Sequence, residues 1–200
     1  MRLIAGCDES GRGSLLGPLY AAAVILNPDD SIAGLDDSKK LTAHRRETLA
    51  EEIRAKAVAW QVVSVTAVEV DQINVYEASR QGMLRAIKAL LPAPDFILTD
   101  AMPLRENGAD FRIPHRSIIH GDALSVSIAA ASILAKVERD AHMAKLHESF
   151  PQYCLEKNKG YGTRDHLDAL ARFGPCAEHR KTYQPVKDCL LPRLPLLESL

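Results

Sequence analysis

Two adjacent carboxylates, Asp8 and Glu9, close a short apolar run near the start of the chain, and a glycine-flanked arginine, Gly11-Arg12-Gly13, follows. Two further aspartates hold comparable places. Asp100 ends the apolar run DFILT (95–99), and Asp122 stands at the head of a long helical stretch. A carboxylate at the end of a buried strand must be paired or must bind a cation, because an isolated ionised group is costly to bury. Clustered oxygen donors suit hard divalent cations, Mg2+ or Mn2+, better than zinc. Two such ions about 4 Å apart stabilise both the attacking and the leaving oxygen in phosphodiester hydrolysis. Each acid also has a plainer reading: Asp122 as a helix N-cap, Asp100 as a turn residue, Glu9 as a solvated side chain.

Neighbouring residues on a regular strand point to opposite faces, so Asp8 and Glu9 share one site only if the strand ends or kinks there. Gly11 and Gly13 permit such a break, which is expected at or just after Glu9. The run GRGSLLG is neither G-x-G-x-x-G nor a Walker loop, so a dinucleotide or P-loop site is weakly supported. What remains is a backbone that approaches a ligand closely, with Arg12 available to a phosphate; a tight turn with a surface arginine is the alternative. KNKGYGT (157–163) joins Lys157, Lys159 and Tyr161 to two glycines, a composition that suits phosphates and a stacked sugar or base, or simply a mobile basic loop. His142 and His147 are five apart, do not share a helix face, and read as surface residues.

Apolar runs mark strands over 2–8 and 18–26, joined by a short turn that favours an antiparallel pair. A third strand falls over 58–66 and short apolar runs over 95–99 and 117–120. Helical patterns cover 39–56, with Ser38 as the expected cap, and 75–91, stopped by Pro92 and Pro94. Others cover 123–148, small and apolar enough to lie close against a sheet, and 164–172. This is an α/β pattern with a mixed sheet and helices on both faces. A loop spans 101–116.

With 200 residues the chain fits one domain, expected over 1–188 with a tail over 189–200. The net charge of −1 argues against binding nucleic acid by bulk charge, yet 157–187 carries seven basic residues against three acidic ones. The four cysteines form no C-x-x-C pair and fit a reducing compartment. No apolar run approaches a bilayer span of about 20 residues, so a soluble cytoplasmic protein is expected.

Five ordered motifs resemble ribonuclease HII: DESGRGSLLGP (8–18), LDDSKKLT (35–42), GDALSVSIAAASILAKVERD (121–140), KGYGT (159–163) and HRKTYQPV (179–186). The resemblance implies a ribonuclease H-like sheet of about five strands with extra C-terminal helices. It implies endonucleolytic cleavage of RNA in RNA/DNA hybrids, and cleavage 5′ of single ribonucleotides in duplex DNA. It also implies a monomer acting on nucleic acid with Mg2+ or Mn2+. It carries the catalytic and metal-binding roles onto Asp8, Glu9, Asp100 and Asp122, recognition of the 2′-hydroxyl onto Gly11, Arg12 and Gly13, and junction sensing onto Tyr161. Lys39, Lys40, Lys157 and Lys159 are then expected to bind phosphates. The chain departs from the pattern in two places. Ala101 stands where a glycine usually follows the third carboxylate, and the segment from Asp100 to Asp122 is longer than usual. The tail LPRLPLLESL lacks the aromatic pair of a clamp-binding peptide.

Overall fold

The computed structural model describes residues 2–36 and 38–191. In chain order the elements begin with β1 (Ile4–Ser10), β2 (Leu19–Ile25), α1 (Ala43–Lys56), β3 (Ala59–Val65), α2 (Ala67–Ile73), α3 (Val75–Lys88) and β4 (Phe96–Asp100). They continue with β5 (Arg105–Glu106), β6 (Ala109–Asp110), β7 (His115–Ile118), α4 (Gly121–Leu124), α5 (Val126–Ser149), α6 (Leu155–Asn158), α7 (Arg164–Phe173) and α8 (Gln184–Leu190).

The main sheet has five strands in the order β3-β2-β1-β4-β7. β2 runs antiparallel to both its neighbours, while β4 runs parallel to β1 and to β7. The expected mixed sheet is therefore present. β2 shows how it is sandwiched. Leu19, Ala21, Ala23 and Ile25 face Met83, Leu84 and Ile87 of α3, whereas Ala22 and Val24 face α1 and α5 through Leu49, Ile53, Ile133 and Leu134. That alternation is the two-residue period of a strand buried on both sides. Burial of each large aliphatic side chain contributes about 1.5–3 kcal/mol.

α5 lies against β1 as its small residues foretell. A Cβ added at Gly6 would stand 2.0 Å from the Ser127 carbonyl carbon. Only glycine lets the helix backbone ride on this strand, and the contact fixes α5, and α4 just before it, relative to the end of β1.

Several boundaries differ from the sequence expectations for local reasons. α1 starts at Ala43, because the Thr42 hydroxyl, not Ser38, accepts the capping bond from Arg45 N–H at 3.2 Å. Ser38 is instead buried, its hydroxyl 2.9 Å from that of Ser132. Residues 67–73, given no element above, form α2 behind a Thr66–Glu69 capping box. α3 ends at Lys88, before the prolines. The stretch 101–116 is more than a loop: it holds the β5–β6 hairpin and the start of β7. The helix expected over 123–148 is two helices, parted where Ser125 adopts an extended backbone (φ −132°, ψ 119°). α8 runs to Leu190, and residues 192–200 of the expected tail lie outside the described residues. No helix among the described residues is long and apolar enough to cross a membrane.

Candidate metal centre and nucleic-acid interface

β1 and β4 run side by side in the same direction, with Cys7 opposite Thr99, so Asp8 and Asp100 emerge together at their carboxyl ends. α4 brings in the third acid. Asp122 sits in its first turn while His120 holds the N-cap position without a side-chain bond, so Asp122 is not the helix cap. The Gly121 N–H donates to Asp100 Oδ1 at 2.8 Å and locks α4 onto the end of β4. One carboxylate oxygen from each of Asp8, Asp100 and Asp122 lies within 4.8 Å of the others. Asp95 does not compete, since it accepts the Leu3 N–H at 2.8 Å, and Asp110 pairs with Arg105 on the hairpin.

Glu9 is placed differently. β1 keeps its ladder through Glu9, paired with Ala21, and Ser10, paired with Tyr20. The break comes at Gly11, whose φ is +96°. Strand alternation therefore still holds at Glu9, and its carboxylate stays out of the Asp8–Asp100–Asp122 cluster. Its Oε1 meets Arg12 at 3.3 Å, while its Oε2 is buried with no hydrogen-bond partner. Both acids nevertheless wall one cavity of about 570 Å³, together with Gly11, Arg12, Gly13, Lys39, Asp100 and Tyr161.

Charge crowding is evident. Burial, and then the neighbouring Glu9 carboxylate, hold Asp8 well above the usual carboxylate range. Burial also raises Glu9, opposed by the Arg12 guanidinium. A group of oxygen donors that is buried, mutually repelling and incompletely hydrogen-bonded fits a hard divalent cation. Asp8, Asp100 and Asp122 are placed to hold it, with Glu9 on the wall of the cavity that Asp8 and Asp100 also line.

The segment 11–18 forms the cavity's other wall and is gripped from two sides. Leu15 N–H donates to Gly160 O at 2.8 Å, Gly17 N–H to Glu178 O at 2.9 Å, and Arg180 N–H to Leu15 O at 2.9 Å. Two fully buried arginines lie beneath it. Arg139 donates to Pro18 O and to the Ser14 hydroxyl, and Arg180 donates to the carbonyls of Arg12 and Gly17. A Cβ at Gly11 would stand 2.1 Å from Arg139 Nε, so space and backbone both require glycine there. With the carbonyls of Arg12, Gly17 and Pro18 held from below, the rest of the turn's backbone is left to offer to a ligand above.

Tyr161 stands across the turn from Gly13 and is 37% exposed, with the Arg139 guanidinium 5.2 Å from its ring centre. The four lysines are not brought together. Lys39 lines the cavity, its Nζ 3.8 Å from Asp122, but Lys40 turns to Asp36 at 3.1 Å. Lys157 is exposed on α6, and Lys159 follows half-buried in the turn before Tyr161. Sequence reasoning gave no role to Ser132, Lys136, Arg139 or Arg180, although all four lie inside the quoted motifs. An arginine within an otherwise apolar helix face was the available signal for Arg139.

The model of the family described as ribonuclease HII matches residues 5–186. The chain belongs to the ribonuclease HII family. A ribonuclease HII of Syntrophomonas wolfei is 50% identical over 190 residues, covering 95% of this chain and 73% of that protein. That of Idiomarina loihiensis is 48% identical over 188 residues, covering 94% and 98%. Among solved structures, the ribonuclease H2 of Pyrococcus horikoshii superposes with a TM-score of 0.78 at 24% identity, covering 93% of this chain and 96% of that one. Bst-RNase HIII in complex with Mn2+ superposes with a TM-score of 0.74 at 19% identity, covering 94% and 69%. The sheet and C-terminal helices are thus those of the ribonuclease H2 and H3 structures, and the chain is a ribonuclease H-type hydrolase acting on RNA/DNA. Family membership carries metal dependence with it, in keeping with the acidic cluster.

Proposed function

We propose that the enzyme cuts the RNA strand of RNA/DNA hybrids, and cuts 5′ of a single ribonucleotide embedded in duplex DNA, leaving a 3′-hydroxyl and a 5′-phosphate. The observation that carries this reading is one cavity walled by Asp8 and Asp100 of the three-aspartate cluster together with the Gly11–Gly13 turn and Tyr161. Asp8, Asp100 and Asp122, joined by Glu9 from the wall of the same cavity, would hold two Mg2+ or Mn2+ ions, whose chemistry would be to activate a water and neutralise charge on the leaving oxygen. The Gly11–Gly13 backbone reads the ribose 2′-hydroxyl, the chemical mark that separates RNA from DNA. Tyr161 stacks at the junction beyond it. Lys39, at the cavity wall, and Lys157 and Lys159, on the Tyr161 side, bind phosphates; Lys40 contributes least, being paired with Asp36. The chain acts as a monomer, and its free cysteines suit the cytoplasm.

Asp8→Asn tests the metal centre. Cleavage is expected to fall by about a thousandfold or more, the weight of several kcal/mol of transition-state stabilisation, with duplex binding retained. EDTA is expected to stop the wild type and added Mg2+ or Mn2+ to restore it. Near-normal cleavage by the variant, or activity untouched by EDTA, contradicts the reading.

A further inference from the structure

Behind Tyr161 lies a pair of fully buried histidines that the carboxylate chemistry does not use. His166 is 0% and His179 1% exposed, on α7 and on the segment before α8. Their Nε2 atoms are 3.2 Å apart. His166 Nδ1 lies 3.0 Å from the Tyr161 carbonyl oxygen, and the Cys176 backbone N–H donates to His179 Nδ1 at 2.9 Å.

The two ends of this chain fix every proton in it. A backbone N–H can only donate, so His179 Nδ1 carries no hydrogen. His179 therefore carries its proton on Nε2 and donates it to His166 Nε2. His166 must then carry its proton on Nδ1, which faces an acceptor, the Tyr161 carbonyl. Both rings are neutral, and a further proton on either would set one N–H against another. Burial lowers both histidines accordingly, His179 to about 4. The Tyr153 ring packs edge-on against His179, 4.7 Å between centroids, and holds it in place. A metal site does not fit: the Cys176 sulfur lies at Nδ1 of His179, 3.2 Å away, while His166 is at its opposite nitrogen.

The same two segments grip the ribose-reading turn, through the Ser14–Tyr161 and Leu16–His179 bridges. The pair therefore joins, from beneath, the two flanks of that turn. We propose that His166 and His179 are positioning residues for Tyr161: their directed hydrogen bonds hold its main chain, and so its ring, at the junction beside Gly13. The proposal rests on the reading of Tyr161 as the residue that favours an embedded ribonucleotide.

The test compares cleavage of a duplex holding one ribonucleotide with cleavage of a long RNA/DNA hybrid, in Mg2+, by the full chain. His166→Ala is expected to lower the ratio of the two kcat/KM values roughly tenfold, the weight of one oriented hydrogen bond. His166→Asn, whose amide nitrogen stands near the lost Nδ1, is expected to restore most of it. In a Tyr161→Ala background, His166→Ala is expected to change the ratio no further. A ratio that falls in Tyr161→Ala but holds in His166→Ala overturns the positioning role alone. A ratio unmoved by Tyr161→Ala overturns the reading beneath it as well. Imidazole nitrogen NMR of the wild type bears on the proposal even where a variant fails to fold. A proton on Nδ1 of His166 and on Nε2 of His179, with both rings neutral at pH 6, supports it; any other pair of tautomers overturns it.

Discussion

Ala101 shows what a single residue costs at the end of β4. Its φ is +46°, a region that L-residues enter at a penalty of roughly 1–2 kcal/mol and glycine enters freely. The side chain is exposed, so no buried contact offsets the strain. The backbone must turn sharply here, because Asp100 has to accept the Gly121 N–H directly afterwards in space. Ala101→Gly is therefore expected to stabilise the fold by about 1 kcal/mol, seen as a higher urea midpoint at unchanged slope. No change, or a loss, would show the strain to be absent. At this scale Asp8, Asp100 and Asp122 were legible, since an acid closing an apolar run is an anomaly that asks for a partner. The pairing of Glu9 with Arg12 was not, because it depends on the strand breaking at Gly11 rather than earlier. Nor were the buried arginines and histidines, whose partners lie far away in sequence: Arg139 is 125 residues from Ser14 and Arg180 is 168 from Arg12.

Among the elements, β1 and α5 decide the site's geometry. Gly6→Ala would press a Cβ into the Ser127 backbone, which cannot step aside as a side-chain tip can. A loss of about 3 kcal/mol or more is expected, at the upper end of overpacking costs. Because α4 precedes α5, the displacement should also move Asp122 away from Asp8, and cleavage should fall even where the variant stays folded. Denaturant melts read the first effect and rates on a hybrid the second; unchanged stability would contradict the close strand–helix contact at Gly6. The strands and long helices were legible from alternation and from small apolar runs. The parting of α4 from α5 was not, because Ser125 interrupts a pattern that reads as continuous, and the interruption serves the position of Asp122 more than any local preference. The Thr66–Glu69 capping box was written in the sequence, but the short α2 behind it has too few turns for its periodicity to stand out.

Across the whole molecule, buried ionisable groups pull stability in opposite directions as pH falls. His166 and His179 have folded pKa values below their ordinary value near 6.5. Their contribution is complete above about 6.5 and is lost as pH falls toward 4, because the unfolded chain binds protons that the folded chain refuses. Asp8, raised in the folded state, works the other way: folding gains as pH drops through its elevated pKa. Asp8→Asn removes that gain and keeps the histidine loss. Its stability between pH 6.5 and 4.5 is expected to fall more steeply than that of the wild type, by urea titration at each pH; a parallel course would contradict the assignment. The mixed five-stranded sheet and the family were legible at this scale, since five motifs in order fix both. The manner in which the C-terminal segments hold the Gly11–Pro18 turn was not, because it is made by main-chain bonds between distant loops. The proposed activity is a cut at a ribonucleotide, made where a carboxylate cluster and a ribose-reading turn meet at one cavity. Its most direct test is an end-labelled DNA duplex with one embedded ribonucleotide, incubated with Mg2+ or Mn2+ beside an all-DNA control. A single cut on the 5′ side of the ribonucleotide, leaving a 3′-hydroxyl and a 5′-phosphate, with the control intact, is the expected result; cleavage of both duplexes alike, or of neither, would contradict it.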